Sequence, residues 1–136
     1  MSNTAFHWPA RVYWEDTDAG GVVYHANYVK FLERARTEWL RAKGYEQSAL
    51  QQSKQVVFAV YSMQIKFLKP ARLDDALNVS VELVSSRRAS FSVHQRIFEL
   101  RSGAELCRAE VEIACLAADS FRPIPIPADL LAAIQG

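Results

Sequence analysis

Phe6, Trp8, Ala10, Val12 and Trp14 alternate with His7, Pro9, Arg11, Tyr13 and Glu15, and a period of two predicts a first β-strand with one apolar face. Pro9 lacks the N–H that a ladder requires, so the strand is expected at a sheet edge or bulge. Asp16 to Gly21 breaks the alternation, and Gly20 and Gly21 allow a sharp turn in which another molecule can approach the backbone closely. From about Ala26 to Lys43 the period becomes helical. Tyr28, Phe31, Leu32, Ala35, Trp39 and Ala42 fall on one side, and Lys30, Glu33, Arg34, Thr37, Glu38 and Arg41 largely on the other. Arg34 and Glu38 are spaced for an i,i+4 pair, and Gly44 suits the residue that follows a helix C-terminus. Glu46 to Ser53 predicts one or two further helical turns.

A run of strands comes next. Val56 to Leu68 is rich in Val, Phe, Tyr and Ile and is ended by Lys69-Pro70-Ala71-Arg72-Leu73-Asp74-Asp75. Leu77, Val79, Val81 and Leu83 alternate with more polar neighbours up to the turn at Ser85-Ser86-Arg87-Arg88. Ser90 to Leu100 and Leu106 to Ala118 form the next two strands around a hairpin at Ser102-Gly103. The prolines of Arg122 to Pro127 predict an extended segment, and Asp129 to Gln135 a short terminal helix. The fold class is therefore α+β, an antiparallel sheet of about five strands wrapped around one long helix. Such a sheet leaves open edges, which pairing with another copy would cover.

Length and composition narrow the classes. The 136 residues suit one domain spanning 1–136. At 50% hydrophobic and 23% charged residues, the chain is too apolar for disorder. Its longest apolar runs fall far short of the roughly 18 residues of a spanning helix, and the polar start Met1-Ser2-Asn3-Thr4 lacks a signal peptide's basic region. A cytoplasmic protein that does not span a membrane is expected. A net charge of +1 gives no reason to invoke nucleic acid. Cys107 and Cys115 lie eight apart on one predicted strand, about 26 Å at 3.3 Å per residue, so no disulfide joins them and a reducing compartment fits. His7, His25 and His94 are scattered and neither cysteine has a close second ligand, so no metal is expected.

Chemistry concentrates where the first strand meets the long helix. Asp18 is a carboxylate outside regular structure, and a helix N-terminus carries unpaired N–H groups with roughly half a positive charge. Together they suit a carbonyl that must become an oxyanion, one group assisting attack and the other holding the charge.

Tyr13-Trp14-Glu15-Asp16-Thr17-Asp18-Ala19-Gly20-Gly21-Val22-Val23-Tyr24-His25-Ala26-Asn27-Tyr28, with Phe31-Leu32-Glu33-Arg34-Ala35-Arg36-Thr37-Glu38 and Pro70-Ala71-Arg72-Leu73-Asp74-Asp75, resembles the hotdog-fold acyl-CoA thioesterases of the 4-hydroxybenzoyl-CoA thioesterase type. The likeness is greatest to the bacterial enzymes associated with the Tol–Pal cell-envelope system. It implies a homodimer with one continuous sheet, often a dimer of dimers and so a homotetramer, with active sites at the subunit interface. It also implies hydrolysis of an acyl-CoA substrate without a cofactor. Asp18 falls on the catalytic carboxylate, as general base or nucleophile. His25 falls on the residue whose backbone N–H points at the thioester oxygen, with Gly21 and Val22 close by in sequence and its imidazole placed to orient water or Asp18. Tyr24 and Tyr28 are candidates for the mouth of the acyl pocket. Arg87, Arg88 and Arg122 match basic positions that contact the CoA phosphates, and Lys66 and Lys69 are lesser candidates. Asp16 is read as a structural acceptor, and Glu33 as half of an ion pair beside Arg36 and Thr37. Two other readings stand beside hydrolysis. One is docking of acyl carrier protein or lipid-synthesis enzymes with hydrolysis secondary, and the other is a hotdog dehydratase, which needs a histidine and a carboxylate acting together.

Overall fold

The computed structural model describes residues 5–136, so the polar start, residues 1–4, lies outside the described residues. The elements run β1 (Phe6–Arg11), a 3-10 turn (Trp14–Asp16), α1 (Asn27–Ala42), α2 (Gln47–Lys54), β2 (Val56–Phe67), β3 (Ala76–Ser86), β4 (Ser90–Glu99), β5 (Glu105–Ala117) and α3 (Ala128–Gln135). The five strands form one antiparallel sheet in the order β1-β3-β4-β5-β2. β1, which carries Pro9, lies at one edge, and β2 is the other. No helix among the described residues is long and apolar enough to cross a membrane.

Strand alternation and helix period meet in one core. Val79 and Val81 on β3, Phe91, Val93 and Ile97 on β4, and Cys107, Ala109, Val111 and Ile113 on β5 are all buried. Phe31, Leu32, Ala35 and Trp39 of α1 fill the same core, with the Trp39 and Phe91 rings 6.0 Å apart. Burial of a side chain of that size is worth about 1.5–3 kcal/mol, which outweighs the small propensity differences among these residues. Cys107 and Cys115 are buried free thiols on β5, and burial pushes both up to about 11.

Several expected details change. Trp14 does not extend the apolar face of the first strand; it is 83% exposed. The Asp16 carboxylate accepts the Tyr13 N–H at 2.8 Å and closes the 3-10 turn, which ends the strand and swings Trp14 outward. Glu38 pairs with Arg41, one turn on, in place of Arg34. Glu33 forms no ion pair among the described residues and accepts a hydrogen bond from Thr37 at 2.8 Å. Arg36 faces inward because it shares the buried side with Leu32, Ala35 and Trp39.

There the Arg36 guanidinium donates to Gln95 Oε1 at 3.0 Å, and Gln95 Nε2 donates to the Leu32 carbonyl at 3.1 Å. Gln95 is fully buried on β4, so this relay fixes α1 against the sheet at one rotation. Burial holds the Arg36 pKa below its ordinary value, with the neighbouring Glu33 charge acting the other way. Replacing Gln95→Leu leaves a buried cation without its acceptor and is expected to cost about 2–4 kcal/mol. Arg36→Met added to Gln95→Leu recovers most of that loss. Urea midpoints of the single and double variants check both statements, and a single variant as stable as the parent refutes them.

Candidate active site

The loop between β1 and α1 is built around two aspartates with opposite environments. Asp16 is buried, and its two carboxylate oxygens accept the Tyr13 N–H and the Asn27 side-chain amide, at 2.8 and 3.0 Å. Its carbonyl accepts the Tyr24 N–H at 2.9 Å. One residue thus joins the strand exit, the loop and the first residue of α1. Asp18 is exposed, and its only side-chain bond among the described residues is from the Gly20 N–H to Oδ1, at 2.8 Å. Its backbone closes the loop, donating to the Val22 carbonyl at 2.9 Å and accepting from the Gly21 N–H at 3.1 Å. Gly21 has φ +80, which favours glycine and curls the chain here, and a Cβ on Gly20 would come within 3.2 Å of Asp18 Oδ1 and crowd this carboxylate. The Val23 N–H donates to the Ala71 carbonyl at 2.9 Å, laying the loop along the segment that leads into β3.

α1 opens without a side-chain cap, because Ala26 occupies the N-cap position. The Asn27 N–H returns to the Tyr24 carbonyl at 2.8 Å and the Val29 N–H to the Ala26 carbonyl at 3.2 Å. Among the described residues, the N–H groups of His25 and Ala26 have no protein acceptor. Donors left open at the positive end of a 16-residue helix suit an anionic oxygen.

Asp18, Val22, Val23, His25 and Tyr28 share a cleft of about 370 Å³ with Phe67, Leu68, Lys69 and Pro70. Phe67 forms the apolar wall, its ring centroid 5.4 Å from that of Tyr28 and 6.5 Å from that of His25. Tyr28 is buried and its hydroxyl accepts the Ala71 N–H at 3.0 Å. Burial raises its pKa, the Asp18 charge adding in the same direction, so the phenol remains neutral beside the carboxylate.

The structure therefore brings together Asp18, Val22, His25 and Tyr28. Gly21 shapes the loop without lining the cleft, and Tyr24 stands half exposed with its ring 4.5 Å from that of His25. Phe67, Leu68 and Pro70 escaped the sequence reading. Only Pro70 carried a local signal, as a strand breaker, because the wall forms when the end of β2 pairs with β5 and the chain then folds back on α1. A larger cleft of about 630 Å³ opens between β1 and α1, with Trp8, Arg11, Phe31, Arg34 and Leu100 among its lining. In the smaller cleft, unlike the larger, an unburied carboxylate meets the open helix end. Among the described residues no three His, Cys, Asp or Glu side chains are grouped to hold a metal ion.

Arg87, Arg88 and Arg122 lie at the opposite end of the sheet. The Leu68 and Lys69 N–H groups at the cleft both donate to the Leu106 carbonyl. The Arg88 turn meets β5 at Cys115, whose N–H donates to the Ala89 carbonyl. Leu106 and Cys115 are nine residues apart on one strand, roughly 30 Å at about 3.3 Å per residue. Within one chain the three arginines do not reach the Asp18 cleft.

The thioesterase-like superfamily profile matches residues 12–134. The chain belongs to the thioesterase-like superfamily. It is 46% identical to the acyl-CoA thioester hydrolase YbgC of Escherichia coli over 97% of both chains. To the acyl-CoA thioesterase YbgC of Haemophilus influenzae it is 41% identical, over 99% of this chain and 98% of the relative. A crystal structure of a probable thioesterase from Bartonella henselae superposes with a TM-score of 0.80 at 35% identity, covering 92% of this chain and all of that one. The wrapped helix and five-stranded sheet are thus the hotdog fold of this superfamily.

Asp16 holds this thioesterase-like loop in place, so Asp16→Ala, which removes two acceptors from buried or half-buried donors, is expected to cost about 1–3 kcal/mol. Thermal denaturation measures the loss, and limited proteolysis should cut first between residues 13 and 27. An unchanged melting temperature would count against the clamp.

Proposed function

We propose that the protein hydrolyses acyl-CoA thioesters in the cleft between Asp18 and the start of α1. The observation that carries this reading is the pairing of an exposed, uncommitted carboxylate with the open N–H groups of His25 and Ala26 around one cleft. The thioester carbonyl oxygen sits at those donors, and Phe67 and Tyr28 shield the acyl group. Asp18 takes a proton from water as the water oxygen bonds to the carbonyl carbon. The oxyanion that forms is held by the helix end. Its collapse breaks the carbon–sulfur bond, releasing the acid, and the departing CoA sulfur recovers the proton from Asp18. Asp18→Asn keeps the shape and removes the base, so kcat is expected to fall by about 10²- to 10⁴-fold. Thiol release from a series of acyl-CoAs measures this, and turnover at the parent rate would sink the assignment.

The CoA nucleotide needs a second subunit. β2 is an edge strand with Val60, Tyr61, Phe67 and Leu68 exposed along and just beyond it, a surface suited to pairing with another copy. In an antiparallel β2–β2 dimer, the end of β2 at Phe67 in one subunit lies beside the start at Val56 in the other. That geometry carries the end holding Arg87, Arg88 and Arg122 of one chain toward the Asp18 cleft of its neighbour, where guanidinium groups suit phosphates. The homotetramer and the Tol–Pal association belong to the same reading, and the two buried free thiols suit the reducing cytoplasm.

Mixing subunits tests the shared site. Asp18→Asn and the double variant Arg88→Ala/Arg122→Ala are each impaired alone. After exchange, the mixed dimer has one cleft with its base and its arginines both intact, so activity at the parental KM is expected to return. Failure to recover in demonstrated mixed dimers would show that Arg88 and Arg122 do not act across the interface.

A further inference from the structure

Phe121 occupies a position that its residue type disfavours. It closes the hairpin loop after β5 with φ +58, in the left-handed region that a loop-closing residue ordinarily enters as Gly or Asn. The conformation is enforced, because the Phe121 N–H donates to the Ala117 carbonyl at 2.8 Å and the Ala117 N–H to the Arg122 carbonyl at 2.9 Å. The strain gains no burial in return, since Phe121 is 66% exposed. An aromatic ring held outward by a strained backbone is a feature whose rationale lies outside folding of the chain itself.

Its surroundings supply the rationale. Arg122 follows directly in sequence, and the chain then extends to Ile126, whose N–H donates to the Arg88 carbonyl at 2.8 Å. Phe121 and Arg122 thus form one end of a stretch whose other end is stitched to Arg88, roughly 13 Å away at about 3.3 Å per residue. Coenzyme A ends in an adenosine whose ribose carries a flat base, a 3′-phosphate and a 5′-pyrophosphate. Exposed aromatic rings stack on such bases, and guanidinium groups bind such phosphates at a surface without burial.

We propose that Phe121 is the platform on which the adenine of the CoA moiety stacks, with Arg122 and Arg88 taking the phosphates carried by its ribose. The inference rests on the acyl-CoA reading above and adds a binding residue to it. Phe121 contributes through the nucleotide alone, so it lowers KM for acyl-CoA and leaves kcat and the acyl preference untouched.

The test compares one acyl group carried on CoA and on pantetheine, which lacks the nucleotide. Phe121→Gly suits the left-handed backbone and should melt no lower than the parent, while its KM for the acyl-CoA rises about tenfold, in keeping with the loss of one stacked base. Its kcat and its KM for the acyl-pantetheine stay at parental values, and Phe121→Trp keeps the parental KM for both. An unchanged KM for acyl-CoA in Phe121→Gly overturns the proposal, as does an equal rise with both substrates. Dissociation of the Phe121→Gly oligomer in sedimentation also overturns it, placing the ring in a subunit contact. All three outcomes leave hydrolysis by Asp18 standing. A parent protein that releases thiol from neither substrate overturns the underlying reading as well.

Discussion

The packing of one helix face against one sheet face sets the position of everything else. Phe31, Leu32, Ala35 and Trp39 exclude water from the concave side of the sheet, and the Arg36–Gln95–Leu32 relay removes the rotational freedom that apolar packing alone would leave. Hydrophobic contact is nearly indifferent to a small rotation of a helix, whereas a buried cation with one good acceptor is not. The stability cost of burying Arg36 is thereby converted into a fixed direction for the helix N-terminus. That end then faces Phe67 and Pro70, and the cleft has a definite shape before any ligand arrives.

Asp16 and Asp18, two residues apart, illustrate how environment divides labour between identical groups. Asp16 accepts from Tyr13 and Asn27, one bond at each oxygen, and serves as a clamp. Asp18 keeps one oxygen uncommitted, and Gly20 beside it keeps a side chain out of its way. A buried carboxylate whose two oxygens already accept hydrogen bonds is a poorer proton acceptor than an exposed one with a free oxygen, so the clamp and the proposed base are better kept as separate residues. The short spacing lets the rigid member hold the exposed one in place without occupying it.

Much of this was legible in the sequence because the two periods are strong. The alternation in β3, β4 and β5 and the helical spacing from Tyr28 to Trp39 appear where they were expected, as does the break at Asp16 to Gly21. The misses share a cause. Trp14 fits the alternation perfectly, yet a local turn closed by Asp16 overrides it. Arg36 sits beside Glu33 on the helix, yet a buried acceptor on a distant strand claims it. Phe67 and Pro70 become part of the site only through pairings between residues far apart in the chain. The Arg88–Ile126 contact brings the Arg87–Arg88 turn to the segment that carries Arg122, but no linear pattern reveals that roughly 30 Å of strand lies between that end of the sheet and the Asp18 cleft.

The two edges of the sheet are chemically unlike. β2 is twelve residues long and contains no proline, while β1 has six residues and is interrupted by Pro9, with His7 and Arg11 exposed beside it. A sheet that is open at both margins can extend without limit and is the starting point of a fibril. Here one margin refuses a further strand, so growth through the other would terminate after a single addition. The proline near the start of the chain would thus make any such association a finite event.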